Sequence, residues 1–211
     1  MSDPTASEQP RRPGPIGGDM AAIVFGLARR ARLTSLMKRY DSTLVLAVFA
    51  FVNGLIAIGV MSLIAFVTGE PFIFPSLGPT AFLLFYTPLV VAACPRNTIC
   101  GHAIGAGAGY LSLVIFGLTN APPALATSVT GARVGAAALS LGLTSGVMVL
   151  ARVPHPPAGA TTLIVSLGIF HEPRRLVILM LAMVLLVVQG FVINRLAGIP
   201  YPVWSPGHAE T

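Results

Sequence analysis

The sequence predicts an all-α membrane protein that crosses the bilayer about six times, and three observations predict it. The 211 residues are 55% hydrophobic and only 9% charged, against about 25% charged in ordinary soluble domains. Four long apolar runs each have the length needed to cross a hydrocarbon core of about 30 Å. Two further apolar segments, residues 72–95 and 153–170, are interrupted near their start by proline and glycine. The shortage of charged residues argues against both a soluble enzyme and a nucleic-acid-binding protein.

The start of the chain differs in composition from the rest. Seven of the thirteen Lys and Arg residues lie in the first 39 positions, as expected for a segment on the cytoplasmic side of a membrane. Residues 1–20 are polar, rich in Pro and Gly, and predicted to be disordered. Residues 21–40 combine an apolar face with five basic residues, which predicts an amphipathic helix lying on an anionic leaflet. A solvated basic leader is the alternative.

Two repeats of three segments each are predicted to build the membrane domain, residues 43–198. The long spans are expected at residues 43–68, 101–118, 131–151 and 176–197, followed by a short C-terminal tail over residues 199–211. Residues 75–84 align with residues 156–165 through the pattern P-x-x-G-x-T, and a Pro-Arg pair follows each copy. Repeat A then covers residues 43–118 and repeat B residues 131–197. Three crossings per repeat make the two halves inverted relative to each other, although so short a match also allows chance similarity.

Segments 2 and 5 of this arrangement are expected to be broken into an extended leg and a short helix. Proline restricts the residue before it to extended conformations but is tolerated at the first position of a helix. The short helices are therefore expected to begin at Pro79 and Ala160, the second of them running to residue 170. Backbone groups without partners are too costly to face lipid, so the extended legs must be buried in protein or line a wet cavity.

Charge placement distinguishes six crossings from four. With six crossings and a cytoplasmic N-terminus, the cytoplasmic ends hold Arg96, Arg152 and Arg195, and three basic residues are left outside, Arg133, Arg174 and Arg175. With four spans and two re-entrant segments, the outer side would hold Arg96, Arg152, Arg174 and Arg175. Because basic residues favour the cytoplasmic side, six crossings fit better.

Paired broken helices predict a binding site where their N-termini meet, at residues 78–80 and 159–161. Helix N-termini carry partial positive charge and free N–H groups, which favour a small anion. No carboxylate lies in either motif, which argues against a cation site. The candidate binding residues are Ser76, Leu77, Gly78, Thr80, His155, Pro156, Pro157, Gly159, Thr161 and Thr162. The alternative is that Pro and Gly only shape tight packing and the hydroxyls cap helices.

Histidine and arginine near this site suggest coupling and gating. Protonation of His155 would add positive charge and couple anion movement to protons, although a lone hydrogen-bonded histidine is often structural. Arg96, Asn97 and His102 are candidates for a cytoplasmic gate. His102 is expected to be interfacial, because the predicted span begins at residue 101, and Arg96 is also explained as an orientation charge.

The remaining motifs read as structural. The Gly-x-x-x-Gly patterns at residues 101–109 and 131–135 permit close helix contact, either within the bundle or in a homo-oligomer. Cys94 and Cys100 are expected to be free thiols, with no Cys/His set for a metal and no cofactor assigned. Tyr201 and Trp204 suit an aromatic belt at the membrane interface. A membrane enzyme using His155 or His102 would lack a catalytic partner at a recognisable spacing, so the chain is not expected to be an enzyme.

The run PHPPAGAT at residues 154–161 resembles the signature of the HPP family of integral membrane proteins, named for its His-Pro-Pro. FPSLGPTA at residues 74–81 and PRNTICGH at residues 95–102 are also similar to the family pattern, and the resemblance covers about residues 43–198. It implies a member without the CBS modules that some relatives carry. Because plastid and cyanobacterial members are implicated in nitrite transport, it also implies a nitrite-like transporter or channel, in this case in a bacterial inner membrane. The alternative is a non-transporting subunit or partner-binding protein.

Overall fold

The computed structural model describes residues 32–205, and over these residues every regular element is helical. The α-helices are α1 (Leu33–Met37), α2 (Ser42–Thr68), α3 (Leu77–Tyr86), α4 (Pro95–Ile115), α5 (Ala124–Thr127), α6 (Gly131–Leu150), α7 (Ala158–Ser166) and α8 (Pro173–Leu196), and a 3-10 turn covers Val91–Ala93. The predicted disordered segment and most of the predicted interfacial helix lie outside the described residues. Of residues 32–40, only those of α1 are helical.

Four helices, α2, α4, α6 and α8, are long and apolar enough to cross a membrane. They contain 27, 21, 20 and 24 residues, so each extends about 30 to 40 Å at a rise of about 1.5 Å per residue. This confirms the predicted all-helical membrane protein. The two short helices, α3 and α7, contain 10 and 9 residues and follow the interrupted stretches.

Four helices begin at least two residues earlier in the sequence than expected, and two of them begin at a proline. Helix α4 begins at Pro95 rather than at residue 101, and α8 begins at Pro173 rather than at residue 176. Proline suits this first position, because no partner exists there for the N–H group that it lacks. Helices α3 and α7 begin two residues earlier than predicted, at Leu77 and Ala158. The second of them ends at Ser166 rather than at residue 170, and Gly168 beyond it adopts a φ of +81°.

One end of the bundle gathers both ends of the described chain, and we call it the tail end. The backbone N–H of Leu33 donates to Ala197, and that of Arg96 donates to Trp204. The Tyr201 hydroxyl donates to the Ala93 carbonyl over 2.5 Å. The tail end therefore holds the N-termini of α2 and α4 together with the C-termini of α3 and α8.

The opposite end, which we call the loop end, is held together by charged side chains. Arg174 forms an ion pair with Glu70, which joins the start of α8 to the end of α2. Arg133, at the start of α6, donates to the carbonyls of Ser166, Ala121 and Pro122 at 3.0, 3.2 and 2.8 Å. The loop end therefore also holds the C-terminus of α7 and the connection that follows α4.

Each short helix joins the two halves of the chain. Helix α3 packs against α2 of its own half and against α8 of the other half. Helix α7 packs against α6 of its own half and against α4 of the other half. The two halves are thus interlocked in the same way, and the short helices lie inside the bundle between long ones.

Glycines on α4 allow α7 to approach closely. A Cβ atom on Gly105 would lie 2.7 Å from the Ala158 carbonyl oxygen, and one on Gly109 would lie 2.7 Å from Cβ of Val165. The Gly-x-x-x-Gly pattern of α4 therefore serves a contact within the chain. A Cβ on Gly131 would meet no atom within 4 Å, whereas one on Gly135 would collide with the Phe116 ring.

Candidate functional site

Five polar side chains form a hydrogen-bonded cluster where α3, α4 and α7 meet. We call them the polar cluster: Ser76, Thr80, His102, His155 and Thr161, all of them fully buried. Polar groups are costly to remove from water, and more so inside a membrane protein, so such a cluster requires a reason beyond packing.

Two of the five residues, both threonines, lie at matching points of the two halves. Thr80 and Thr161 are each the fourth residue of their short helix, and Ser76 directly precedes α3. His155 lies on the extended leg that leads into α7. His102 lies on α4, about 10 Å along the axis from the first residue of that helix.

Short distances join the five side chains into one chain of hydrogen bonds. Ser76 Oγ lies 2.7 Å from Thr161 Oγ1, which in turn lies 2.7 Å from His102 Nδ1. The Nε2 atoms of His102 and His155 are 3.1 Å apart. Thr80 Oγ1 donates to the Ser76 carbonyl at 2.9 Å and lies 3.0 Å from His102 Nε2. At the far end, His155 Nδ1 lies 2.7 Å from the Ala92 carbonyl oxygen.

The Ala92 carbonyl fixes which atom donates in each of these hydrogen bonds. A carbonyl can only accept, so Nδ1 of His155 carries the hydrogen. In a neutral ring Nε2 of His155 then accepts. Thr80 Oγ1, 3.4 Å away, already donates its hydrogen to the Ser76 carbonyl, so His102 Nε2 is the donor at 3.1 Å. His102 Nδ1 must therefore accept from Thr161, and the Thr161 oxygen accepts from Ser76.

The backbone amides at the start of α7 are less available than the sequence suggested. The N–H groups of Ala158, Gly159 and Ala160 donate to carbonyls three residues earlier, at 3.0, 3.0 and 3.1 Å. The first turns of α3 and α7 are close together, with Ser76 next to Thr161 and Thr80 Oγ1 3.4 Å from His155 Nε2. The donors of the cluster are therefore side chains.

Other predicted binding residues lie outside the polar cluster. Gly78 is exposed, and a Cβ there would meet no atom within 4 Å. A Cβ on Gly159 would face Leu141 at 3.5 Å. Thr162 is buried with a hydroxyl that has no hydrogen-bond partner. The remaining three contribute no side-chain hydrogen-bonding group: Pro156, which is exposed, and Leu77 and Pro157, which are buried.

His102 corrects one expectation from the sequence. We expected it at the interface, because the predicted span began at residue 101, but the earlier start of α4 places it two turns inside the helix. Its ring contacts that of His155 edge to face, with centroids 4.8 Å apart. His102 is thus a central member of the polar cluster and not a residue of the membrane interface.

The 3-10 turn at Val91–Ala93 closes the cluster at the tail end. Its three carbonyls each accept a hydrogen bond from a side chain. His155 donates to Ala92, Asn97 donates to Val91 at 2.8 Å, and Tyr201 donates to Ala93. Tyr201 is fully buried inside the protein, unlike the exposed aromatic residue predicted for an interfacial belt. Burial raises the pKa of its phenol, which keeps the hydroxyl protonated as the donor.

The other predicted gate residue, Arg96, lies at the same end. Its guanidinium Nη2 is 3.5 Å from the Ala151 carbonyl oxygen, which joins the start of α4 to the end of α6. Arg96 and Asn97 therefore bind the turn and helix ends that surround the polar cluster. Their hydrogen bonds go to the Ala151 and Val91 carbonyls and not to a member of the cluster itself.

Metal chemistry has no evident site in the described part of the chain. Over residues 32–205, no group of three His, Cys, Asp or Glu side chains is placed to hold a metal ion. Both cysteines, Cys94 and Cys100, are free thiols.

Comparison with known proteins gives the family of the chain. No curated protein and no solved structure matches it. The profile described as "HPP, transmembrane region" matches residues 39–202, which include every member of the polar cluster and all four long helices. This match covers more than half of the chain and contains the His-Pro-Pro sequence at residues 155–157. The chain therefore belongs to the HPP transmembrane family.

Proposed function

We propose that the chain is a transporter or channel for a small monovalent inorganic anion, nitrite-like in size and charge, that binds at the polar cluster. The polar cluster is the observation that carries this proposal. It offers hydroxyl and imidazole donors deep in an apolar bundle, at the first turns of two short helices. The carboxylates of residues 32–205 are Asp41, Glu70 and Glu172, and all lie at the ends of the bundle. A buried site rich in donors and free of carboxylates favours an anion over a cation.

The positions of the helix ends support six crossings in two inverted halves. Helix α2 runs from the tail end to the loop end, residues 69–86 return, and α4 crosses again. In the second half α6, residues 151–166 and α8 make the same three passes in the opposite direction. Such inverted repeats with interrupted helices are the arrangement in which transporters bind substrates between the halves.

Charge supports a cytoplasmic tail end. Among residues 32–205, the tail end holds one carboxylate, Asp41, and six basic residues, Arg32, Lys38, Arg39, Arg96, Arg152 and Arg195. At the loop end Arg174 pairs with Glu70, Arg175 pairs with Glu172, and Arg133 is bound to carbonyls. The basic residues that seemed to violate the orientation rule are thus locally compensated. With the positive-inside bias, the proposal places the N-terminus in the cytoplasm, consistent with a bacterial inner membrane.

The geometry also indicates how an anion would enter. All five side chains of the polar cluster are inaccessible, so the described conformation is closed around them. The contact between Ser76 and Thr161 joins the two short helices directly. An anion that accepts from both hydroxyls would replace this contact and separate the first turns of α3 and α7. Movement of one half against the other would then open the site to one end.

Uptake into proteoliposomes tests this function. Purified protein is reconstituted, external nitrite is added, and internal nitrite is measured against protein-free liposomes. Thr161→Val keeps the side-chain shape but removes the hydroxyl that joins Ser76 to His102, and we expect uptake to fall by about tenfold or more, the effect of about 1.4 kcal/mol.

Thr144→Val is the matched control for that variant. Thr144 is equally buried, but its hydroxyl donates only to the Ser140 carbonyl of its own helix. Its uptake should stay near that of the unaltered protein. Absence of uptake by the unaltered protein, or equal uptake by the two variants, would contradict the proposal. In the first case obligate co-purification with another protein would favour the alternative of a non-transporting subunit.

A further inference from the structure

We propose that the polar cluster loads one proton together with each anion, and that His102 and His155 share this proton. This inference rests on the proposed anion transport and adds the coupling ion to it. The geometry that carries it is the contact between the two histidines: ring nitrogens 3.1 Å apart accommodate one hydrogen between them. The pair can therefore be neutral or carry a single extra proton, since two N–H groups facing each other would repel.

In the neutral pair, every hydrogen of the chain points from Ser76 toward Ala92. The Ser76 hydroxyl donates to Thr161, Thr161 donates to His102, and His102 donates to His155. His155 ends the chain at the Ala92 carbonyl, near the tail end. Neither hydroxyl hydrogen of this chain is then free for an anion.

Loading one proton reverses the direction in which the Ser76 and Thr161 hydroxyls donate their hydrogen bonds. A proton that arrives from the loop end binds Ser76 Oγ, while the original Ser76 hydrogen moves to Thr161 Oγ1. The original Thr161 hydrogen moves to His102 Nδ1, so one N–H bond forms and His102 becomes an imidazolium. Each oxygen has gained one hydrogen and lost one, and the net gain of one charge resides on the histidine pair.

The reversed chain is suited to an anion. The Thr161 hydrogen now points toward Ser76, and the Ser76 hydrogen points away from the histidines. An anion that replaces the contact between the two hydroxyls can therefore accept from both of them. The positive charge of the pair offsets the negative charge of the anion, which is unfavourable in an apolar interior when unpaired. Proton and anion therefore bind better together than singly, and a monovalent anion with one proton carries no net charge across the membrane.

No fixed carboxylate competes for this role. The titratable and charged groups on the elements around the histidine pair are Tyr86 on α3, Cys94 before α4, Arg96, Cys100 and Tyr110 on α4, Arg133 on α6, Arg152 before His155, Arg174, Arg175 and Arg195 on α8, and Tyr201 in the tail. None of them is a carboxylate. The transported anion is left as the counter-ion.

Proton movement can be measured in the same proteoliposomes. A pH-sensitive dye is enclosed, nitrite is added outside, and the membrane potential is set with potassium and valinomycin. We expect internal acidification with about one proton per nitrite above the protein-free background, and a nitrite uptake rate unchanged by about 100 mV of potential, because the loaded site is neutral.

Two variants assign the proton to the histidine pair. His102→Gln and His155→Gln should each lose the acidification, whereas His171→Gln should keep it. His171 bonds the Gly168 carbonyl at the loop end at 2.7 Å and lies outside the polar cluster. Acidification that persists in both cluster variants would overturn the assignment.

The unaltered protein decides the coupling even where a variant fails to fold. Nitrite uptake that proceeds without acidification and follows the membrane potential would overturn the coupling and leave anion transport standing. Absence of nitrite uptake would overturn both proposals. Uptake with acidification and no dependence on the potential would support both.

Discussion

The two interrupted segments of this protein share one scaffold and differ in chemistry. Each leads into a short helix with threonine at its fourth position, and each short helix packs against a long helix from both halves. The residue before the proline that opens the shared P-x-x-G-x-T pattern differs. Phe74 packs against Phe170 with ring centroids 5.7 Å apart, whereas His155 contacts His102 at 4.8 Å. The repeat thus supplies the framework, and a difference between the halves supplies the ionisable pair.

The packing around the two short helices differs as well. A Cβ on Gly105 of α4 would collide with the backbone of α7, at 2.7 Å from the Ala158 oxygen. On the equivalent contact between α8 and α3, a Cβ on Gly190 would lie 3.1 Å from the flexible end of Leu84. The contact of α7 with α4 is therefore closer than that of α3 with α8, as expected where side chains must be held in one geometry.

Replacing His155 by the phenylalanine found at the matching position of the first segment should have the largest effect on uptake. His155→Phe removes both ring nitrogens and leaves the Ala92 carbonyl and His102 without this partner. We expect nitrite uptake to fall by about 100-fold and the free energy of unfolding to fall by about 1–3 kcal/mol per buried group left unpaired. Phe74→Leu is the control from the first segment. Uptake lost equally in both would show that the difference in chemistry is irrelevant to transport.

Closing the glycine contact should have the next largest effect. Gly105→Ala forces α7 away from α4, which we expect to destabilise the protein by about 1–3 kcal/mol, the usual cost of overpacking. Thermal unfolding in detergent measures it. Gly107→Ala on the same helix meets no atom within 4 Å and should be neutral or slightly stabilising. Gly190→Ala should fall between them, and a Gly190 effect larger than that of Gly105 would reverse the proposed order of the two contacts.

Removing one hydroxyl at the tail end should have the smallest effect. Tyr201→Phe leaves the ring buried but deletes the hydrogen bond to Ala93, at a cost of about 1 kcal/mol in the free energy of unfolding. The 3-10 turn keeps its bonds to Asn97 and His155. Uptake should therefore change by less than about threefold. A complete loss of uptake would show that the turn, and not the polar cluster, limits transport.

Membrane physics explains how much of the fold was accessible from the sequence. A membrane span must be long and apolar, so the four long helices could be predicted from the length and hydrophobicity of the sequence runs alone. The two interrupted segments placed Ser76 and Thr161 in one predicted site, and their hydroxyl oxygens are 2.7 Å apart. Local sequence was sufficient for these points because length, hydrophobicity and repeat order leave few arrangements.

Tertiary contacts explain what the sequence did not indicate. The apolar run begins at Gly101, which predicts a helix start there and an interfacial His102, whereas α4 begins at Pro95, a favourable first residue. Reading the Pro-Arg pair as a helix start would have placed His102 inside the bundle. Nothing local indicates that Tyr201 bonds Ala93, because the two residues are 108 positions apart in the sequence.

The central claim is that an anion binds between the first turns of the two short helices, and anomalous diffraction tests it most directly. Crystals soaked in bromide or thiocyanate would be measured with the heavier atom's anomalous signal. The account predicts a peak within about 3.5 Å of both Ser76 Oγ and Thr161 Oγ1, absent in Thr161→Val. Peaks confined to Arg174 and Arg175 in the cleft of about 480 Å³ at the loop end, with none between the hydroxyls, would contradict it.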